Sequence, residues 1–357
     1  MAITIKIGSN VLTRQDGHLD ESRMNDLVRE IALLHKKGEK IILVSSGAVA
    51  AGRSIVENYS TLDPVAQRQL LSSTGQVKLI DTYKKLFDIQ GIKIGQILVT
   101  KQDFSSREHY LNIKNCISTL WENNVMPVVN ENDTVSVTGL MFTDNDELSG
   151  LMASMADCQK LFILSNIDGI FNGDPKDSNS SVIREITPKT NLSQYVQTTK
   201  SNFGRGGMLT KCRIARKTAA SGIEVYIANG TKSEVITNLY NGNSNFVCTH
   251  FSASEHSPAI KKWIAYSDGF TKATVIINEG AKQALLSKDK AASLLIPGIV
   301  KIEGDFKKDD LLMIKDENNV TIGLGKAGTD KDKINFNKRS RPLIHYDYLY
   351  IYPEITQ

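Results

Sequence analysis

The sequence predicts an α/β protein, a three-layer αβα sandwich on a mostly parallel central sheet, with a small C-terminal β-barrel. Three observations predict it. Helical and strand-like segments alternate from residue 3 to residue 228, as they do where helices cover a parallel sheet. Ile41-Ile42-Leu43-Val44 is an unbroken apolar run, the mark of a strand buried on both faces. Beyond residue 255 the apolar runs become short and are separated by Gly and Asp, which suits a small barrel.

Taken in order, Ile3 to Ile7 reads as a strand ending at Gly8. Asp20 then caps a helix whose Met24, Leu27, Val28, Ile31 and Leu34 recur at helical spacing, with Gly38 as its stop. After the strand at 41–44 the alternation continues through 67–87, 92–99, 110–123, 125–129, 146–156, 161–164, 208–221 and 225–228. Pro127 falls inside an expected central strand, where it cannot donate a ladder hydrogen bond. Asn-Gly pairs at 229–230 and 241–242 and a Ser/Asn-rich stretch through Asn245 place a domain boundary near 255. The expected domains are therefore 1–255 and 272–357, with 256–271 as linker. In the second domain 273–277, 299–302, 311–314 and 349–352 read as strands. Tyr346, Tyr348 and Tyr350 alternate, as expected of one face of a terminal strand used in core packing.

At 357 residues the chain has room for one large domain and a smaller one. Hydrophobic residues at 41% and charged residues at 23% exclude a disordered chain. A net charge of +4 is too small to demand a polyanionic partner. Cys116, Cys158, Cys212 and Cys248 lack paired metal spacing, and the six histidines show no ligand spacing. No apolar segment approaches membrane-spanning length, and Met1-Ala2-Ile3-Thr4-Ile5-Lys6 runs straight into a strand without a secretory signal. A reduced, cytoplasmic protein is the expectation.

The chemistry concentrates at 129–149. Val125-Met126-Pro127-Val128-Val129 breaks off into Asn130-Glu131-Asn132-Asp133, and Phe142-Thr143-Asp144-Asn145-Asp146-Glu147-Leu148-Ser149 opens a helix. Asp and Asn also serve as turn formers and caps, but strand ends that carry carboxylates and amides are how open α/β sheets build ligand sites. Gly47 to Ser54 fits a P-loop except that Arg53 replaces the required Lys. Arg cannot supply that point charge, so the segment reads as a packed small-residue helix. Lys6, from the residue alone, reads as a surface lysine. Gly204-Arg205-Gly206-Gly207 before the helix bearing Lys211 reads either as a mobile loop or as a phosphate cradle at a helix N-terminus.

Five segments in order, Ile5-Lys6-Ile7-Gly8-Ser9-Asn10, Val44 to Arg53, the two acidic clusters, and Phe203 to Lys211, resemble the glutamate 5-kinases of the amino-acid kinase family. The match covers about the first 255 residues. Glu279-Gly280-Ala281 and Leu294 to Ile299 are similar to the PUA domain that many of these kinases carry, although 323–341 departs from its pattern. The resemblance implies an ATP-dependent kinase with Mg²⁺ as cofactor, acting on the side-chain carboxylate of L-glutamate on the route to proline, and a homo-oligomer. It implies catalytic roles for Lys6 and Lys211, held in register by Asp146, and glutamate contacts from Ser46, Asp133 and Asn145. It further implies ATP contacts from Lys6, Gly8, Ser165, Asn166 and the stretch Arg205, Gly206, Gly207, Met208, Leu209, Thr210 and Lys211, with no dedicated protein metal site. Ser165-Asn166 stands where relatives show Thr-Asp, and Arg205 replaces a small hydroxyl residue, so an altered nucleotide pocket is expected.

Two rivals remain. One is another kinase of the same fold acting on a different acidic substrate. The other is an RNA-binding protein working through the C-terminal domain. Lys331, Lys333, Lys338, Arg339 and Arg341 form a local basic patch, for which a solvated loop is favoured over RNA contact.

Overall fold

Six consecutive buried residues make β1, Ala2–Ile7, a strand that needs cover on both faces. The structure, a computed structural model, describes residues 1–136, 142, 145–175, 177–187, 190, 208–254, 258–287, 291–334 and 342–352. The chain divides into two units, Met1–Glu255 and His256–Gln357. In the first, β1 is followed by α1 (Ser9–Leu12), α2 (Glu21–Lys36), β2 (Lys40–Ser45), α3 (Ala48–Arg53) and α4 (Pro64–Ile89). Then come β3 (Lys93–Val99), α5 (Arg107–Glu122), β4 (Val125–Glu131), α6 (Asn145–Met155) and β5 (Lys160–Ser165). The rest is β6 (Glu185–Ile186), α7 (Met208–Ala219), β7 (Glu224–Asn229), α8 (Val235–Asn241) and β8 (Cys248–Phe251).

The described strands form one sheet in the order β3-β4-β2-β1-β5-β7-β8-β6. Its first six members are parallel, and β8 runs antiparallel to β7. Side chains alternate along β1. Ile3, Ile5 and Ile7 join Met24, Leu27 and Ile31 of α2 and Leu79 and Phe87 of α4 in one core. Thr4 and Lys6 therefore face the opposite layer, where α6 is buried from Asp146 to Met155. Because the six strands are parallel, Gly8, Ser45-Ser46, Asn130-Glu131, Ser165 and Asn229 all emerge at one edge, where ligands bind open α/β sheets.

Local chemistry accounts for the elements. Asp20 caps α2 by accepting from the Arg23 amide at 2.9 Å, and the left-handed Gly38 (φ +87°) follows its end. Pro127 is tolerated because β4 pairs with β2 only at Val128 and Val129, beyond it, so at Pro127 the ladder is one-sided. The smallness of α3 is explained by packing. A Cβ on Gly75 would lie 1.8 Å from the Ala48 carbonyl oxygen, and one on Gly52 2.0 Å from that of Leu71. Helices α3 and α4 thus cross backbone to backbone.

The second unit holds α9 (Ala259–Ala265), β9 (Ala273–Ile277), α10 (Glu279–Leu286), β10 (Leu294–Leu295), β11 (Ile299–Gly304) and β12 (Leu311–Asp316). It continues with β13 (Thr321–Lys326), β14 (Pro342–Ile344) and β15 (Leu349–Ile351). Its sheets run β11-β9-β12-β13-β15 and β10-β14, around a core that includes Val275, Leu312, Ile314, Ile322 and Leu343. The stretch read as linker contains α9, whose Trp263, Ile264 and Ala265 are buried. Strand β13 was not anticipated. Its Gly323 is needed for close approach, since a Cβ there would stand 2.2 Å from the Tyr350 carbonyl oxygen.

The tyrosine expectation is corrected. Tyr346–Tyr348 is a 3₁₀ turn capped by the His345 side chain, which accepts from the Asp347 amide, and Tyr346 and Tyr348 are exposed. Lys333 pairs with Asp330 at 2.6 Å and Lys331 donates to the Gly304 carbonyl; Lys338, Arg339 and Arg341 lie outside the described residues. Among the described residues no helix is long and apolar enough to cross a membrane.

Candidate active site

Lys6 is the penultimate residue of β1, and strand alternation turns it away from the isoleucine core toward the start of α6. Its Nζ lies 2.5 Å from Asp146 Oδ1. Lys211, in the first turn of α7, donates to the other carboxylate oxygen of Asp146. All three are buried, Asp146 completely. Burial alone would raise the Asp146 carboxyl, but the two ammonium groups outweigh it and hold the group below the usual carboxylate range. The cluster is two cations on one anion, a net positive charge at the edge where the strands end. It is built to receive an anion.

A polar chain lies beside it. The Asn145 amide donates to Ser46 Oγ at 2.9 Å, to the Ser45 carbonyl at 3.0 Å and to Asn130 Oδ1 at 3.0 Å. Asn130 in turn donates to Gln76 Oε1 of α4 at 2.8 Å. Gly47, at φ +106°, makes the left-handed turn that carries the chain from β2 into α3. Ser46 and Asn145 are therefore brought together, adjacent to Asp146. Asp133 is placed differently: it pairs with Arg68 of α4 at 2.5 Å, and neighbouring Gln69 donates to the Thr134 carbonyl at 2.8 Å.

Glu131, at the end of β4, accepts from the Phe142 amide at 3.0 Å. Burial, reinforced by nearby Asp133 and opposed by that hydrogen bond, pushes its carboxyl up to about 7. Lys101 pairs with Glu147 at 3.0 Å.

Toward β5 and β7, the Gly8 amide donates to the Leu164 carbonyl at 3.0 Å, and a Cβ on Gly8 would lie 3.4 Å from Lys6 Nζ. Ser165 is buried at the end of β5 and Asn166 is exposed. Asp168 accepts from Asn229 at 2.9 Å and pairs with Lys232 at 2.8 Å. Met208, Leu209 and Thr210 form the first turn of α7 with Lys211. Arg205, Gly206 and Gly207 lie outside the described residues.

Sequence reasoning had assigned no site role to Arg68, Gln76, Asn130, Glu131 or Asp168. Asn130 and Glu131 were within reach, since they belong to the same polar break as Asp133. Arg68 and Gln76 carried no local signal, because a long helix with many polar residues does not say which one meets a distant strand end.

Fold and sequence relationships agree on a class. The first unit is an amino acid kinase domain and the second a PUA domain: the amino acid kinase family profile matches residues 1–229 and the PUA domain profile residues 273–340. Among solved structures the chain is similar to carbamate kinase from Giardia lamblia bound to AMP-PNP, with 19% identity, 71% of this chain and 98% of that chain covered, and a TM-score of 0.53. It is also similar to isopentenyl phosphate kinase, with 16% identity, 71% and 100% coverage, and a TM-score of 0.50. These likenesses show the shared fold. Two proteins called glutamate 5-kinase are much nearer. That of Bacteroides thetaiotaomicron is 55% identical over 353 residues, 98% of each chain. That of Chlorobaculum tepidum is 46% identical over 355 residues, 98% of this chain and 97% of the relative. The chain belongs to the amino acid kinase family, on its glutamate 5-kinase branch.

Proposed function

We propose that the protein transfers the γ-phosphoryl group of ATP to the side-chain carboxylate of L-glutamate, giving L-glutamyl 5-phosphate and ADP, the first step of proline biosynthesis. The observation that carries this reading is the buried Lys6–Asp146–Lys211 cluster beside Ser46 and Asn145. A carboxylate oxygen of glutamate attacks the γ-phosphorus, a new O–P bond forms, and the bond to the β,γ-bridging oxygen breaks. Charge then spreads over the equatorial oxygens, and positioned cations lower the barrier. Lys6 and Lys211 are placed to do this, and Asp146 keeps both ammonium groups from separating. No general base is required, because a glutamate side chain is ionised at neutral pH and is its own nucleophile.

Ser46 and Asn145 suit the substrate's polar atoms, and Asp133 its ammonium. Gly8, Ser165, Asn166, the loop Arg205–Gly207 and the first turn of α7 are assigned to the nucleotide, since amides at a helix N-terminus favour phosphates. Mg²⁺ fits this site as a partner of the nucleotide's phosphate oxygens: Asp146, the carboxylate between the lysines, is already engaged by both. Bound there it would neutralise charge on those oxygens.

Purified protein with Mg-ATP should form a hydroxylamine-trappable acyl phosphate from L-glutamate, far faster than from L-aspartate or N-acetylglutamate. Equal turnover of aspartate would remove the glutamate assignment and leave a kinase of another substrate.

A further inference from the structure

Helix α4 reaches the crevice through residues spaced by four. Arg68, Ser72 and Gln76 share one stripe; Ser72 is buried, Gln76 accepts from Asn130, and Arg68 pairs with Asp133. Asn130 and Asp133 lie at and just beyond the end of the same strand, and Asn130 accepts from Asn145, the neighbour of Asp146. Arg68 and Asp133 therefore mark the end of the crevice reached past Asn145 from the two lysines. Both are partly open to solvent, with side chains 32% and 16% exposed.

We propose that Arg68 and Asp133 together form a clamp for the α-amino acid zwitterion, with the Arg68 guanidinium taking the α-carboxylate and Asp133 the α-ammonium. The inference rests on the kinase reading above and names the residue that selects an amino acid among carboxylates. An amino acid carries a cation and an anion one carbon apart, the charge pattern complementary to an adjacent Arg and Asp. Planar guanidinium matches a carboxylate with paired donors, which a lysine does not. The ion pair also keeps Asp133 from standing as an unpaired acid. The substrate's α-ammonium and α-carboxylate are met by the matching members of that pair. A site with Asp133 alone would bury the α-carboxylate without a counter-charge, which is costly.

The experiment compares wild type, Arg68→Gln and Arg68→Lys with L-glutamate and with 4-aminobutanoate, which keeps the amine and the acceptor carboxylate but lacks the α-carboxylate. The readouts are acyl phosphate formation and the inhibition constant of 4-aminobutanoate against glutamate, so a poor acceptor is still measured. Wild type should prefer glutamate by roughly a hundredfold, and Arg68→Gln should lose roughly tenfold to a hundredfold of that preference, chiefly through KM for glutamate. Values for 4-aminobutanoate should shift by less than about threefold, and Arg68→Lys should fall between. If Arg68→Gln weakens both compounds equally, Arg68 only orients Asp133 and the clamp is wrong; if it weakens neither, Arg68 does not meet substrate. Failure of the wild type to phosphorylate glutamate would instead overturn the kinase reading itself.

Discussion

Lys6 and Lys211 share one buried carboxylate, and substituting either exposes what its charge contributes. Lys6→Met keeps the buried stem and removes the ammonium. It should lower kcat by about a hundredfold, about 3 kcal/mol, with a smaller effect on KM, because its stabilisation grows as charge migrates. Lys211→Met should behave alike. Asp133→Ala should instead raise KM for glutamate, by about 1.5–3 kcal/mol of lost charge-assisted bonding, and leave ATP affinity intact. A loss of ATP binding in Asp133→Ala would mean the site is mapped backwards. Lys6 shows how legibility fails at this scale. Alone it read as a surface lysine, and only the packing of β1 against α6 shows it buried on Asp146.

Glu131 makes a prediction in pH. Its folded carboxyl stands at about 7 against an ordinary 4.5. Between those values the folded state keeps a proton that the unfolded chain releases, so stability falls as pH rises through that window. Glu131→Gln removes the titration while keeping an oxygen for the Phe142 amide. Its stability relative to wild type should therefore climb by up to about 3 kcal/mol between pH 4.5 and 8. Denaturant melts across that range measure it; a difference constant with pH would show that Glu131 does not titrate there.

At the scale of elements, the α3–α4 crossing leaves no room for a side chain. Gly75→Ala would drive a Cβ to 1.8 Å from the Ala48 carbonyl oxygen, so the helices must separate. A loss of about 3 kcal/mol is expected, seen as a lower denaturation midpoint with unchanged slope. Because α4 carries Arg68 and Gln76 into the crevice, KM for glutamate should rise as well. Full stability in that variant would mean that the crossing is looser than described. Most helices and strands of the first unit up to residue 229 were readable from periodicity, caps and breaks, as in α2 with Asp20 and Gly38. Helix α8 and strand β8 were missed because the Asn-Gly pairs and Ser/Asn-rich stretch around them read as a domain boundary. Strand β13 was missed too, because Ile322 and Leu324 alternate there with Gly323 and Gly325, and glycines weaken a strand pattern and read locally as turns.

At the scale of the molecule, each unit has its own buried core, one built on β1, α2 and α4 and the other on β9, β12 and β13. Every residue assigned to chemistry precedes residue 212. A chain ending at Glu255 should therefore fold and retain glutamate phosphorylation, as checked by circular dichroism and the hydroxylamine assay. A folded but inert truncate would show that residues 256–357 complete the active site or hold a required assembly together.

Order along the chain was enough to identify strands, helices and the polar breaks where a sheet ends, because periodicity and capping are local and are written in neighbouring residues. It also singled out Lys6, Asp146 and Lys211 through resemblance. Which side chains meet was decided only by folding. Lys6 and Asp146 are 140 positions apart, Asp146 and Lys211 are 65 apart, and Arg68 and Asp133 are likewise 65 apart. Parallel strand order and the helix crossings bring them to one edge, and neither is encoded within any window of sequence short enough to read. The same holds for charge: Asp146 and Glu131 are both acids at the head or foot of an element. Yet two buried ammonium groups hold one low, while burial beside Asp133 raises the other.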